Sequence, residues 1–231
     1  MTRRYFVPDL PVAGGLVALP EAEAQHASRV MRVQAGDQLV VFDGAGNEAA
    51  ATFVQVSRKE CHCQVDAVRA VNREPKREIH LAIALPKPDR SRELIERLTE
   101  LGVCSLTPLV AHRTQRPPTD SMLAKLRRGV IEACKQSGRN RFLDLNEPIR
   151  ADAFFQACDQ NDRWIAHPVN GKPIGDIAKS GVFHIAIGPE GGWTDDEVNL
   201  AMSNGFTSID LGPRIYRIET AATVLAAILA T

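Results

Sequence analysis

Long apolar runs are missing from this 231-residue sequence. None approaches the roughly 20 residues that a membrane-spanning helix needs, so no membrane partner is expected. The opening stretch MTRRYFVPDLPV lacks the apolar core of a signal peptide. Net charge is missing too, with 28 basic against 28 acidic residues; any footprint for a charged partner must therefore be local. The five cysteines are scattered and odd in number, which argues against a disulfide framework and for a reducing cytoplasm. Cys61 and Cys63 flank His62, but no second Cys/His pair stands at ligand spacing, and in a strand CHCQV alternates faces; no metal is expected. The G-x-G-x-x-G fingerprint is also lacking, which leaves an NAD-type oxidoreductase unsupported.

Charge is present locally. Between Arg113 and Arg141 eight basic residues face only Asp120 and Glu132, whereas after Phe142 six basic residues meet twelve acidic ones. A basic block inside a neutral chain is either a solvated helix face or a footprint for an anionic partner.

The first seventy or so residues read as short strands: GGLVAL, DQLVVFDG, EAAATFVQV and ECHCQVDAV, with FDGAGN as a hairpin signal. One helical segment interrupts them, EAEAQHASRVMRV, in which His26, Arg29 and Arg32 stand three apart. This pattern predicts a small β-barrel. The charged stretch VNREPKRE (71–78) reads as a linker. From Ile79 onward, apolar runs (IHLAIAL, SLTPLV, RWIAH, VFHIAIG, SIDLG) alternate with amphipathic segments (SRELIERLTELGV, SMLAKLRRGVIEACKQSG, ADAFFQAC, DDEVNLAMSNG, TAATVLAAILA), and Gly102 stops the first of these helices. Such alternation predicts an α/β domain on a parallel, doubly covered sheet. The boundary is placed between residues 1–72 and 73–231.

Within that domain the stretch IAIGPEGGWTDDEV ends a strand in a glycine turn and starts a helix, the outline of an anion site. Its chemistry is wrong for one. Thr194 and Glu197 form a capping box that would occupy the helix amides, and Glu190, Asp195 and Asp196 would repel a pyrophosphate. Gly188, Gly191 and Gly192 allow close backbone approach. Two readings fit: a well-capped tight turn, or a seat for a neutral or cationic ligand such as the sulfonium nucleoside S-adenosylmethionine. LGPRIYRIETAA (211–222) and AHPVNG (166–171) leave two further strands, and three loops at the carboxyl ends of neighbouring parallel strands would face one crevice.

HASRVMRVQAGDQLVVFDGAGNE, RELIERLTELGV, EACKQSGRNR, IGPEGGWTDDEV and LGPRIYRIETAA together resemble the bacterial small-subunit ribosomal RNA uridine-N3-methyltransferases (RsmE) of the SPOUT superfamily, over almost the whole chain. The chain departs from that pattern at Pro88, Lys135 and Ile218. The resemblance implies a PUA-like N-terminal barrel, a trefoil knot in the C-terminal domain, a homodimer, cytoplasmic location, and ribosomal RNA or the small subunit as substrate. It implies S-adenosylmethionine held by His167, Pro168, Ile187, Gly188, Pro189, Glu190, Gly191, Gly192, Leu211, Gly212, Arg214, Ile215 and Ile218. Uracil N3 is a poor nucleophile until deprotonated, so Arg217 is the candidate charge stabiliser, unless it pairs with Glu219 or a phosphate. Glu219 is the candidate for proton removal or loop orientation, unless it only caps the last helix. RNA contacts are expected from Arg3, Arg4, His26, Arg29, Arg32, Arg113, Arg139 and Arg141. A non-catalytic ribosome-assembly protein keeping the same fold is the alternative. His80 and His184, inside apolar strands, read as satisfied core residues.

Overall fold

The computed structural model describes residues 3–159, 162–167, 171–174 and 181–231. The chain divides into two compact units, residues 1–74 with 131–142, and residues 75–130 with 143–231. The first unit thus includes a segment from the middle of the chain.

In the first unit, β1 (Arg3–Phe6), β2 (Gly15–Ala18), β3 (Gln38–Phe42), β4 (Asn47–Val56), β5 (Cys61–Val65) and β6 (Arg69–Ala70) make one sheet in the order β1-β3-β4-β5-β2, with β6 on β4. Strand β1 is absent from the sequence reading; it pairs parallel with β3 and buries Tyr5 against Phe53, ring centroids 5.7 Å apart. The predicted single helix is corrected. Only Glu21–Gln25 (α1) is α-helical; His26–Val30 widens into a π-helical turn, and Arg32 leaves it with φ 49°. The wider turn takes residues three apart off a common face, and a left-handed arginine costs about 1–2 kcal/mol.

The stretch 71–78 is where the two units divide, between Glu74 and Pro75, and its first half is held within the first unit. Arg73 donates to Glu48 at 2.9 Å and to the Gly138 carbonyl at 3.1 Å, and Glu74 accepts from Arg139. Phe142 packs on Phe6, with centroids 5.0 Å apart, which fixes the far end of the 131–142 segment in this unit.

The second unit holds β7 (Glu78–Ile83), α2 (Pro88–Glu100), β8 (Ser105–Val110), α3 (Asp120–Ser137, whose last residues belong to the first unit), β9 (Asp144–Leu145), β10 (Ile149–Arg150), α4 (Ala151–Ala157), β11 (Arg163–Ala166), β12 (Lys172–Pro173), β13 (Val182–Ile187), α5 (Asp195–Ser203), β14 (Thr207–Asp210) and α6 (Ile218–Ala230). Its described strands pair parallel in the order β10-β8-β7-β13-β11-β14-β12, with β9 on β8. Helix α2 buries Ser91, Leu94, Ile95, Leu98 and Thr99 along one stripe; each large apolar side chain there contributes about 1.5–3 kcal/mol. Gly102 ends that helical segment at φ 79°. Strand β11 sits between β13 and β14, so the loops that follow all three leave from the same end of adjacent strands.

Candidate functional site

The glycine loop after β13 is anchored from two sides. Trp193 is only 7% exposed and packs in the core against Phe155, while its indole donates to the Ala166 carbonyl at 3.2 Å. A Cβ at Gly188 would come 2.8 Å from that indole ring; this glycine is required by Trp193. A Cβ at Gly191 would meet the Arg113 side chain at 3.3 Å, and the Arg113 guanidinium donates to the Gly191 carbonyl at 2.8 Å. Gly192 differs: its φ is 72° and nothing stands within 4 Å of a Cβ there. So one of the three glycines faces open space, and the other two serve the loop's own packing.

Helix α5 then starts with the expected capping box. Thr194 Oγ1 accepts from the Glu197 amide at 3.2 Å, and Glu197 Oε2 accepts from the Thr194 amide at 2.8 Å. Glu197 Oε1 also accepts from the His112 amide at 2.8 Å. With the Glu197 amide held this way and three acidic residues in the first turn, the start of α5 disfavours a phosphate.

A cavity of about 660 Å³ opens where the three loops meet. Its wall contains Ile187, Gly188, Pro189, Glu190, Gly191 and Gly192 from the first loop, and Leu211, Gly212, Arg214, Ile215, Arg217 and Ile218 from the second. His167 joins from the loop after β11, whereas Pro168 lies outside the described residues. The structure therefore gathers at one place every described residue named for a cofactor, together with Arg217.

Glu219 is partnered by Arg90. The Arg90 Nε lies 3.8 Å from Glu219 Oε1, and its Nη1 lies 3.1 Å from Glu190 Oε1. Arg90, on α2, thus ties the glycine loop to the first turn of α6, and it lines the cavity itself. Glu219 Oε2 is buried without a hydrogen-bond partner. Arg217 is exposed at the N-cap of α6, and no carboxylate pairs with it among the described residues. Asp210 Oδ1 accepts from the Gly212 amide at 2.8 Å and sets the second loop's turn. Trp193, Arg90 and Asp210 were not singled out from sequence; the Trp next to two glycines was the one local sign.

An RNA methyltransferase domain model matches residues 72–230, and an RNA methyltransferase PUA domain model matches residues 19–66. The ribosomal RNA small subunit methyltransferase E of Synechocystis is 32% identical over 97% of this chain and 76% of its own length. The chain belongs to this RNA methyltransferase family. Among solved members, a Legionella pneumophila methyltransferase with bound SAM superposes with TM-score 0.92 at 34% identity, covering 100% of this chain and 98% of that one. The Neisseria gonorrhoeae ribosomal RNA small subunit methyltransferase E, bound to S-adenosylmethionine, gives TM-score 0.92 at 28% identity over 98% and 96% of the two chains.

The family's PUA match includes His26, Arg29 and Arg32, on and just after the π-helical turn. Arg29, Arg32 and Arg141 are exposed, and no ion pair engages them among the described residues. Arg3 pairs with Asp37 at 2.7 Å and stays partly exposed. Arg4 and Arg139 are corrections to the RNA-contact set. Arg4 is bound to Glu48 at 3.1 Å and to Asn140, and Arg139 is 5% exposed with its guanidinium on Glu74. A phosphate would have to break a buried pair to reach either. Arg113 braces the glycine loop. Lys135 is held by the buried Glu23 at 3.1 Å.

Proposed function

We propose that this protein uses S-adenosylmethionine, held in the three-loop cavity, to methylate N3 of a specific uridine in small-subunit ribosomal RNA. The observation that carries the reading is the cavity's chemistry. It has nucleoside size, a wall with open space beside Gly192, the carboxylate of Glu190, and beside it a helix start whose Glu197 amide is taken by the capping box. That set suits a nucleoside seated against the loop backbone, with Glu190 and Asp210 set among Arg90, Arg214 and Arg217. When bound, the cofactor supplies an electrophilic methyl group.

The protein's own residues do the rest. As the imide proton passes to solvent water, negative charge spreads onto the flanking uracil oxygens, and the unpaired Arg217 guanidinium at the cavity rim stabilises it. Glu219, engaged by Arg90, fits the loop-orienting role better than proton removal: through Arg90 it fixes Glu190 against α6. His26, Arg29, Arg32 and Arg141 supply phosphate contacts.

The placement of β11 between β13 and β14, both of which come later in the chain, agrees with a trefoil knot. The 97% exposure of Ile215 and the half-open outer face of α6 agree with a homodimer. Cytoplasmic location completes the reading.

The test is direct. Calorimetry should show stoichiometric S-adenosylmethionine binding, and ribosomal RNA from a strain lacking this gene should lose one N3-methyluridine. Cofactor binding without any lost modification would leave the fold as a non-catalytic assembly protein, and absence of cofactor binding would overturn the reading altogether.

A further inference from the structure

A second cavity of about 600 Å³ lies in the same unit and shares Pro189, Glu190, Gly191 and Ile218 with the first. It is the more basic of the two. Lys87, Arg92, Arg113, Arg116 and Lys125 line it, against Asp89 and Glu190. Two of these cations have structural work: Arg92 pairs with Glu96 at 3.1 Å, and Arg113 holds the glycine loop. The other three have no carboxylate partner among the described residues. They come from separate elements: Lys87 is the N-cap of α2, Arg116 follows β8, and Lys125 is on α3.

Three unpaired like charges converging on one concavity repel each other, and an anion there relieves the repulsion; concave walls also focus the field. The arrangement is not a nest for a single terminal phosphate. Helix α2 begins Pro88-Asp89, so one amide is missing and a carboxylate stands in the first turn. Dispersed side-chain cations, with no amide cradle, suit successive phosphates of a strand and read no base. We propose that this second cavity binds the phosphodiester backbone of the RNA strand that carries the target nucleotide, on the other face of the loop that holds the cofactor. The proposal rests on the methyltransferase reading above.

The test is the combined variant Lys87→Ala, Arg116→Ala, Lys125→Ala in the full-length protein, which leaves Arg113 and the glycine loop intact. Binding of a single-stranded RNA oligonucleotide containing the target uridine is followed across a salt series. Three lost phosphate contacts should lower the log–log salt slope by about two units and weaken binding by about tenfold or more at moderate salt. S-adenosylmethionine affinity, measured calorimetrically, should not change. An unchanged RNA slope with intact cofactor binding overturns the cavity assignment alone, whereas a wild-type protein that binds no S-adenosylmethionine overturns the underlying reading instead. Uridine 5′-monophosphate is the control for a small-anion site: if it binds through these three residues while RNA affinity is unmoved, the proposal fails. Should the combined variant not fold, Lys125→Glu alone, at an exposed helix position, is measured in its place. A salt slope lowered by about one unit supports the proposal, and an unaltered one defeats it.

Discussion

Glu48 is 2% exposed and receives hydrogen bonds from Arg4 at 3.1 Å, Arg69 at 3.2 Å and Arg73 at 2.9 Å. Burial alone would raise its pKa, but the bonds from Arg73, Arg4 and Asn140 and the Arg73 charge outweigh it and hold the group at about 2, against an ordinary 4.5. A depressed carboxyl stabilises the fold fully above its unfolded value, and that contribution is lost as pH falls from about 4.5 through about 2. The size of the shift corresponds to about 3 kcal/mol. Glu48→Gln keeps the shape and removes the charge, leaving Arg4 nearly buried without its carboxylate. The loss at neutral pH should thus be about 3 kcal/mol, or about 6–12 °C in melting temperature for a chain of this size. The assay is thermal unfolding by circular dichroism at steps from pH 7 down to pH 2.5, for both proteins. Wild type should lose stability steeply below pH 4.5, whereas the variant should start lower and fall less. Parallel curves for the two proteins in that window would refute the reasoning.

Gly192→Ala should cost about 1 kcal/mol of backbone strain at its left-handed φ and weaken S-adenosylmethionine binding, with the fold kept. Gly188→Ala should drive Trp193 from its seat and lower the melting temperature as well; equal melting temperatures for the two variants would count against this division. Arg29→Ala with Arg32→Ala should flatten the salt dependence of RNA binding by up to about two units and leave cofactor affinity alone. Arg217→Ala should lower turnover more than RNA affinity, and the opposite split would remove it from the charge-stabilising role. His184 is pulled down to about 4, mainly by burial and then by the charge of His80, whose ring stacks on it at 4.6 Å. Its stabilising effect is whole above about pH 6.5 and is lost as pH falls through about 4, so His184→Phe should flatten stability in that range, just above the Glu48 window.

What was legible in the sequence was local or periodic. The Thr194–Glu197 box spans four residues and forms as expected. The strands of the second unit show as apolar runs because both faces are covered. Strand β1 escaped because two of its four residues, Arg3 and Arg4, are charged and hide the buried Tyr5. The π-helical turn escaped because a register that widens within one turn leaves no period to detect. The three candidate loops were found because each ends a strand in a recognisable turn; their meeting at one cavity follows from strand order, which no single segment carries.

The basic block from Arg113 to Arg141 shows most clearly why residue type alone could not assign roles. Composition treats its eight cations alike, yet their partners separate them. Arg139 satisfies the half-buried Glu74 and Lys135 the buried Glu23, Arg127 pairs with Glu147, and Arg113 braces the Gly191 carbonyl 78 residues away in sequence. Arg90, outside the block, reaches Glu190 across 100 residues. Only a cation left without such a partner can give its full charge to a phosphate, since a paired one must first break an existing contact. By that criterion Arg116, Lys125 and Arg128, whose one bond among the described residues is to the Ala124 carbonyl of its own helix, remain available on the second unit and Arg141 on the first. The block is therefore part scaffold and part unpaired surface charge, and its net charge overstates the share that an anionic partner could use.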